Sequence, residues 1–440
     1  MVTRLRSGVV VGLLVALFTV SANMLGGPAN LFGGHGSLFT VAPAWADEPE
    51  SAALKAEIDI LKERLAALEG RLAQAELKGI TGGITGIGEK AGLPTIELPS
   101  GLQGLAISGY ADMSYGYNFA EPSPNSTTGL ASGTRSNRGR VFDTEPNGFT
   151  PHAFELVFEK PITDEMPLGF RTDLFTGDDA SVIKSTGLGR PATAGDADFD
   201  VQQAYVTARA PIGEGIDFKV GKFVTLLGAE VIESPANWNS SRSYMFGFSI
   251  PFTHTGVLAS YPLGTTLGVV NGWDIVDDNN KAKTLIGNVT LTPLEKLTLS
   301  FNGITGAEQA GDSNDKRSVF DVVATYQATD ELTLMANYDV GHESGLAPAG
   351  TSEAGINWTG LALYAKYDLS PTWYLAGRWE WFDDKDNVRT GLTSFGGGTP
   401  PDIDFQELTL TSQWTLREHV LARLEYRHDS ADQRVFFHDT

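Results

Sequence analysis

The 440-residue chain contains no cysteine. Thiolate catalysis, disulfides and Cys-based zinc sites are therefore excluded, while an oxidising compartment is permitted without being required. Basic residues are scarce, 32 Lys plus Arg against 54 Asp plus Glu, giving a formal charge of −22 and a pI near 4.7. A phosphate backbone selects a basic footprint, so nucleic acid is not an expected partner. The hydrophobic share is 41%, below the usual ~45–50% of soluble proteins. After Val20 no uninterrupted apolar run approaches the ~20 residues that a transmembrane helix needs. A mature chain placed in a membrane must therefore cross it as strands.

Signatures of catalysis are missing as well. Neither a P-loop nor a G-x-S-x-G motif occurs, and His254 in "FTHTG" has no sequence-local Asp or Ser arrangement around it. The runs "DDNN" at 277–280 and "DDKDN" at 383–387 could offer oxygens to calcium, but neither has EF-hand spacing, and both read as solvated acidic loops. The expectation is a non-enzyme with no catalytic, cofactor-binding or metal site.

Several features are present in their place. Arg4 and Arg6 precede an apolar run from Val9 to Val20, and Ala44-Trp45-Ala46 forms an A-x-A cleavage signal before Asp47. Residues 1–46 read as a secretory signal peptide; a membrane anchor helix is the alternative, for which the run is short. Over residues 51–78, Leu54, Ile58, Leu61, Leu65, Leu68, Leu72 and Ala75 alternate spacings of four and three, an a/d seam. Such a helix, roughly 40 Å long at 1.5 Å per residue, cannot bury its seam alone. Self-association is expected, a trimer before a dimer, with docking on its own domain as the alternative. Residues 79–104 form a Gly- and Pro-punctuated linker.

From residue 105 onward the pattern has period two. In "LAISGYADMSYGYNF", Leu105 to Phe119, mainly apolar and mainly small or polar residues alternate, placing them on opposite sheet faces. About fifteen such strands follow one another, through Thr266–Ile275 to Val420–Arg427. Most suit the ~9–11 residues of a tilted membrane strand. Short turns ("PITDEMP", "PIGEG", "PLG", "PLEK", "QATDE", "DLSP", "TLREH") follow even strands, and longer polar loops follow odd ones. That sorting marks an antiparallel up-and-down transmembrane β-barrel over residues 105–440. Leu332, Leu334, Ala336 and Tyr338, with Val420, Ala422, Leu424 and Tyr426, are expected to face lipid. Thr333, Asn337, Asp339, Arg423, Glu425 and Arg427 then face a wet lumen, because a charge on the lipid face at the midplane costs ~2–4 kcal/mol. Tyr and Trp near strand ends read as two interfacial girdles.

The chain resembles the outer-membrane β-barrel porins, most closely the OmpL-like porin group. The resemblance is carried by the signal, the leading coiled coil, "GKFVTLLGAEVIESPANWNSSRSYMFGFSIPFTHTG" at Gly221–Gly256 and "GVVNGWDIVDDNN" at Gly268–Asn280. It implies one Gram-negative outer-membrane barrel of about 16 strands, in contact with outer-membrane lipid and admitting small hydrophilic solutes and ions. Such barrels close on a strand ending in an aromatic residue, whereas this sequence stops at "DQRVFFHDT". A missing last strand is expected, or else a strand hidden within Gly221–Gly256.

Parity alone assigns the pore wall to Asp112, Arg171, Asp173, Arg209, Asp321, Asp339, Arg378, Glu380, Arg423, Glu425 and Arg427. The loop after the fifth strand, with Glu230, Glu233, Asn237, Trp238, Asn239 and Arg242, is the candidate constriction. The resemblance implies that Glu230 and Glu233 oppose wall arginines across a transverse field; solvated external charges are the alternative. The acidic surplus implies a mild cation preference. A structural anchor, with the coiled coil reaching peptidoglycan, is the second reading of function.

Overall fold

The computed structural model describes residues 104–121, 137–188, 199–346, 355–392, 400, 402–417 and 419–436. The signal segment, the heptad seam and the linker up to residue 103 lie outside the described residues. All described residues belong to one unit, Leu102–Thr440.

Among the described residues fifteen strands form a single sheet. They are β1 (Ala106–Gly116), β2 (Gly148–Lys160), β3 (Leu168–Thr176), β4 (Phe199–Ala210), β5 (Ile216–Val224), β6 (Thr253–Tyr261), β7 (Thr265–Val270) and β8 (Thr284–Leu294). The series continues with β9 (Leu297–Ala307), β10 (Lys316–Gln327), β11 (Leu332–Ser344), β12 (Gly355–Ser370), β13 (Trp373–Asp384), β14 (Ile403–Arg417) and β15 (Val420–Ala431). Each strand pairs antiparallel with its neighbours in chain order, a pure meander. Loop lengths sort as the sequence implies: two residues join β8 to β9 and β12 to β13, whereas 225–252 join β5 to β6. The segment 225–252 contains no strand, so no hidden crossing lies within Gly221–Gly256. No described helix is long and apolar enough to cross a membrane.

Among the described residues β1 pairs only with β2, and β15 only with β14. The two edges are nonetheless brought together by a side-chain contact, since Arg140 in the β1–β2 loop donates to Asp429 on β15 at 2.6 Å. One segment, 225–252, touches β4, β10, β11, β13, β14 and β15. A sheet can reach one short segment from so many strands only by rolling around it.

Alternation sets the faces. On β15 Leu424 and Tyr426 are exposed outward, while Arg423, Glu425 and Arg427 turn inward. Leu334 is a departure: it has the outward parity of Tyr338 and Val340, yet it is 3% exposed. It sits in register between Tyr326 and Ala365 and outside the interior apolar cluster, so neighbours on its own face cover it. The interior also departs from a purely wet lumen. Phe223, Tyr244, Met245, Phe246, Ile250 and Phe252 pack there with Trp358, Phe382 and Phe405. The infolded segment carries its own apolar residues inside, and burying them against inward strand aromatics removes that surface from water.

Candidate functional site

The loop over 225–252 needs partners for its backbone, because irregular chain at membrane depth has neither a ladder nor lipid to satisfy it. The wall supplies them by charge sign. Carboxylates accept its N–H groups: Asp321 from Gly228 (3.2 Å), Glu425 from Ser240 and Ser241 (2.6 and 2.9 Å), and Glu380 from Tyr244 and Met245 (2.7 Å each). Arginines donate to its carbonyls: Arg423 to Ser234 and Asn237 (2.8 and 2.6 Å), Arg378 to Ser241 (2.7 Å), and Arg427 to Arg242 (2.5 Å). Charge-assisted bonds of this kind are roughly twice as strong as neutral ones.

At the centre lies a buried ion network. Arg378 of β13 donates to Glu407 of β14 at 2.5 Å and also pairs with Glu230 of the loop. Arg427 reaches Glu407 at 3.3 Å and Asp429 at 2.8 Å. Glu230 is thus in direct contact with a wall arginine. There the opposition of loop carboxylate and wall arginine is a direct contact between loop and wall.

The other loop positions brace the turn. Asn237 accepts from Val231 N and donates to Val231 O, and Asn239 donates to Thr411 at 2.7 Å. Trp238 accepts the Tyr374 hydroxyl through its carbonyl, and Arg242 donates to Val231, Ile232 and Ser240 carbonyls. Glu233 accepts from Gln202 at 2.6 Å. These charges are largely buried, so the alternative of solvated external charges does not describe them.

The proposed wall positions all carry inward parity, with different surroundings. Asp321 and Asp339 are register partners on β10 and β11, both fully buried, with Asn337 donating to each. Arg171 brackets Asp173 at 2.9 and 3.0 Å. Asp112 is half-buried on β1. Arg209 differs, because it lies beside the short β4–β5 turn, exposed and bonded to Asp217 at 2.6 Å, a rim position away from the loop. Parity could have found Glu407, which shares the inward row with Phe405 and Thr409. Asp274 and Arg389 have no such signal, since both sit in loops. Asp274 accepts from Phe252 and Thr253, and Arg389 donates to Phe248 O. Burial pushes the Asp274 carboxyl up to about 6. Burial, aided by nearby Arg317, brings Arg389 down to about 10.

A family model described as "Putative beta-barrel porin-2, OmpL-like" matches residues 104–440. The chain belongs to this porin family. Membership places it in the Gram-negative outer membrane, as a porin channel protein. No curated protein matches the sequence. Among solved structures, the outer membrane channel DcaP of Acinetobacter baumannii is 13% identical, over 75% of this chain and 92% of that one, with a TM-score of 0.46. The anion-selective porin from Comamonas acidovorans is 11% identical over 74% and 89%, with a TM-score of 0.46. OmpT of Vibrio cholerae, in a trimer form, is 12% identical over 65% and 83%, with a TM-score of 0.41.

Proposed function

We propose that this porin passes small hydrophilic solutes and ions down their gradients through the space between the 225–252 loop and the barrel wall. The observation that carries this reading is the division of the sheet into an apolar outer face and a charged inner face, with one long loop folded against the latter. Passive selectivity then comes from width and from charges at the narrowest point, with no reaction centre. The wall residues named above, and the loop residues Glu230, Glu233, Asn237, Trp238, Asn239 and Arg242, are the groups proposed to shape that passage.

The mature chain is proposed to begin after a signal peptide over 1–46 and to carry its coiled coil over 51–78, which favours a homo-oligomer, a trimer first. A second reading, a structural anchor contacting peptidoglycan through the coiled coil, draws support from the burial of Arg378, Glu380, Asp321 and Asp339, each 0% exposed. Planar-bilayer recording separates the two. Stepwise ohmic openings support the channel; a stably inserted barrel that never conducts supports the anchor.

A further inference from the structure

Three carboxylates outside the ion network converge where the loop meets β2 and β3. Glu155, Asp173 and Glu233 each place one oxygen within 4.8 Å of the others. Two oxygens on opposite sides of one calcium ion, at ~2.4 Å each, stand ~4.8 Å apart at most. The spacing therefore fits a shared ion.

The partners of this cluster leave it short of positive charge. Asp173 is bonded by Arg171, which also reaches Glu159 at 3.5 Å, and by Gln203 at 2.6 Å. Among the described residues Glu233 receives the amide of Gln202 alone. Glu155 is 3% exposed, and its Oε1 has no hydrogen-bond partner among the described residues.

An independent feature points to a ligand. On β4 the register steps from Gln203 to Val201 opposite Asp173 and Leu174, so Gln202 is the extra residue of a β-bulge. Bulges re-aim side chains. Here the bulge turns Gln202, 0% exposed, into the interior, where its amide nitrogen donates to Glu233 and its carbonyl oxygen has no partner among the described residues. The buried hydroxyl of Tyr110, the register partner of Glu155, likewise has no partner among the described residues. An unmet buried acceptor costs about 1–3 kcal/mol, and more when it is charged. A proton on Glu155 would neutralise one of three charges and supply one donor to a cluster with two unmet buried acceptors, Glu155 Oε1 and Gln202 Oε1. A divalent cation would offset two of the charges and accept oxygen ligands from both residues.

We propose that Glu155, Asp173 and Glu233, with the Gln202 carbonyl, hold an oxygen-seeking divalent cation that fastens the infolded loop to strands β2 and β3. Its removal frees the loop at Glu233 while the ion network at Glu230 holds the other side.

The test uses the full chain folded in detergent micelles, with calcium as the probe. Terbium luminescence, sensitised by Tyr110 and displaced by calcium, reports binding whether or not the barrel conducts, so its outcome is separable from that of the channel reading. In the wild type, calcium is expected to slow amide exchange across 231–237 relative to chelator. Glu155→Gln, close in shape, is expected to weaken calcium displacement by at least ~10-fold and to remove the exchange difference. Should that variant fail to fold, the wild-type comparison between calcium and chelator decides alone. The proposal is overturned if calcium leaves exchange at 231–237 unchanged, or if Glu155→Gln binds calcium as the wild type does. A variant that is more stable than a calcium-insensitive wild type also overturns it, because a shared proton then occupies the cluster.

Discussion

Arg378 and Glu380 stand two residues apart on β13, both 0% exposed, and grip the same loop by opposite ends of its peptide groups. Arg378 donates to the Ser241 carbonyl, and Glu380 accepts the N–H groups of Tyr244 and Met245. Alternating strand positions hold side chains on one face, so a single strand can offer a donor and an acceptor to successive stretches of the loop.

Arg378→Met removes the cation shared by Glu230 and Glu407 and leaves both carboxylates buried. Breaking a buried pair on one side costs about 3–5 kcal/mol. Denaturant unfolding in micelles should register a loss of that size, and a loss under about 1 kcal/mol would mean that water already reaches the network.

Glu425→Ala strips the acceptor from the Ser240 and Ser241 amides. With the loop released on that side, single-channel recordings should show larger and noisier open currents. An unchanged current would show that this part of the loop does not narrow the conducting path.

Leu424→Arg probes the outer face, where the leucine is 70% exposed. A cation there costs ~2–4 kcal/mol near the midplane, and folding into lipid vesicles should weaken accordingly. Folding unaffected by the substitution would place the residue at an aqueous surface.

Gly341→Ala tests packing at the inner wall. A Cβ at Gly341 would fall within 2.3 Å of three atoms of the Trp358 indole, which donates to the Ser249 carbonyl at 3.2 Å. Overpacking of this kind costs about 1–3 kcal/mol, readable as a lower denaturation midpoint. A midpoint equal to that of the wild type would mean that the indole moves freely.

Asp274 lies in the β7–β8 loop, and burial raises its carboxyl to about 6. Its folded-state value exceeds the unfolded one, so its contribution is full below about pH 4 and is lost as pH climbs through about 6. Asp274→Asn should therefore gain on the wild type between pH 4 and pH 7, by on the order of 2 kcal/mol. A stability difference that stays flat with pH would contradict it.

Much of the fold was legible because a strand writes its two faces into every second residue. Leu332, Tyr338 and Asp339 declare their sides without reference to any other strand. Turn chemistry at "PLG" and "DLSP" then fixed where strands end. The expected Thr266–Ile275 strand runs too long, since β7 stops at Val270, beyond which Asn271 bonds to Val276 O and Asp274 to Phe252 N and to Thr253 N at the start of β6. The site was less legible. Inward parity marks Arg378 and Glu425 as interior but cannot say whether water or the loop meets them, because their partners lie 137 and 185 positions away in the chain. Asp274 and Arg389 sit in irregular segments with no period to read. The cover over Leu334 depends on the size of neighbours on adjacent strands, which one strand's pattern does not contain.

The division of labour between acids and arginines around the 225–252 loop also bears on how the molecule is assembled. The loop is the mandrel on which the sheet is wound: many of its peptide groups find their counterparts as strands β10 to β15 come round it. A barrel sealed before the loop was seated would confine unmatched ions inside a closed cylinder, and the last hairpins are therefore expected to dock only after the loop is in place.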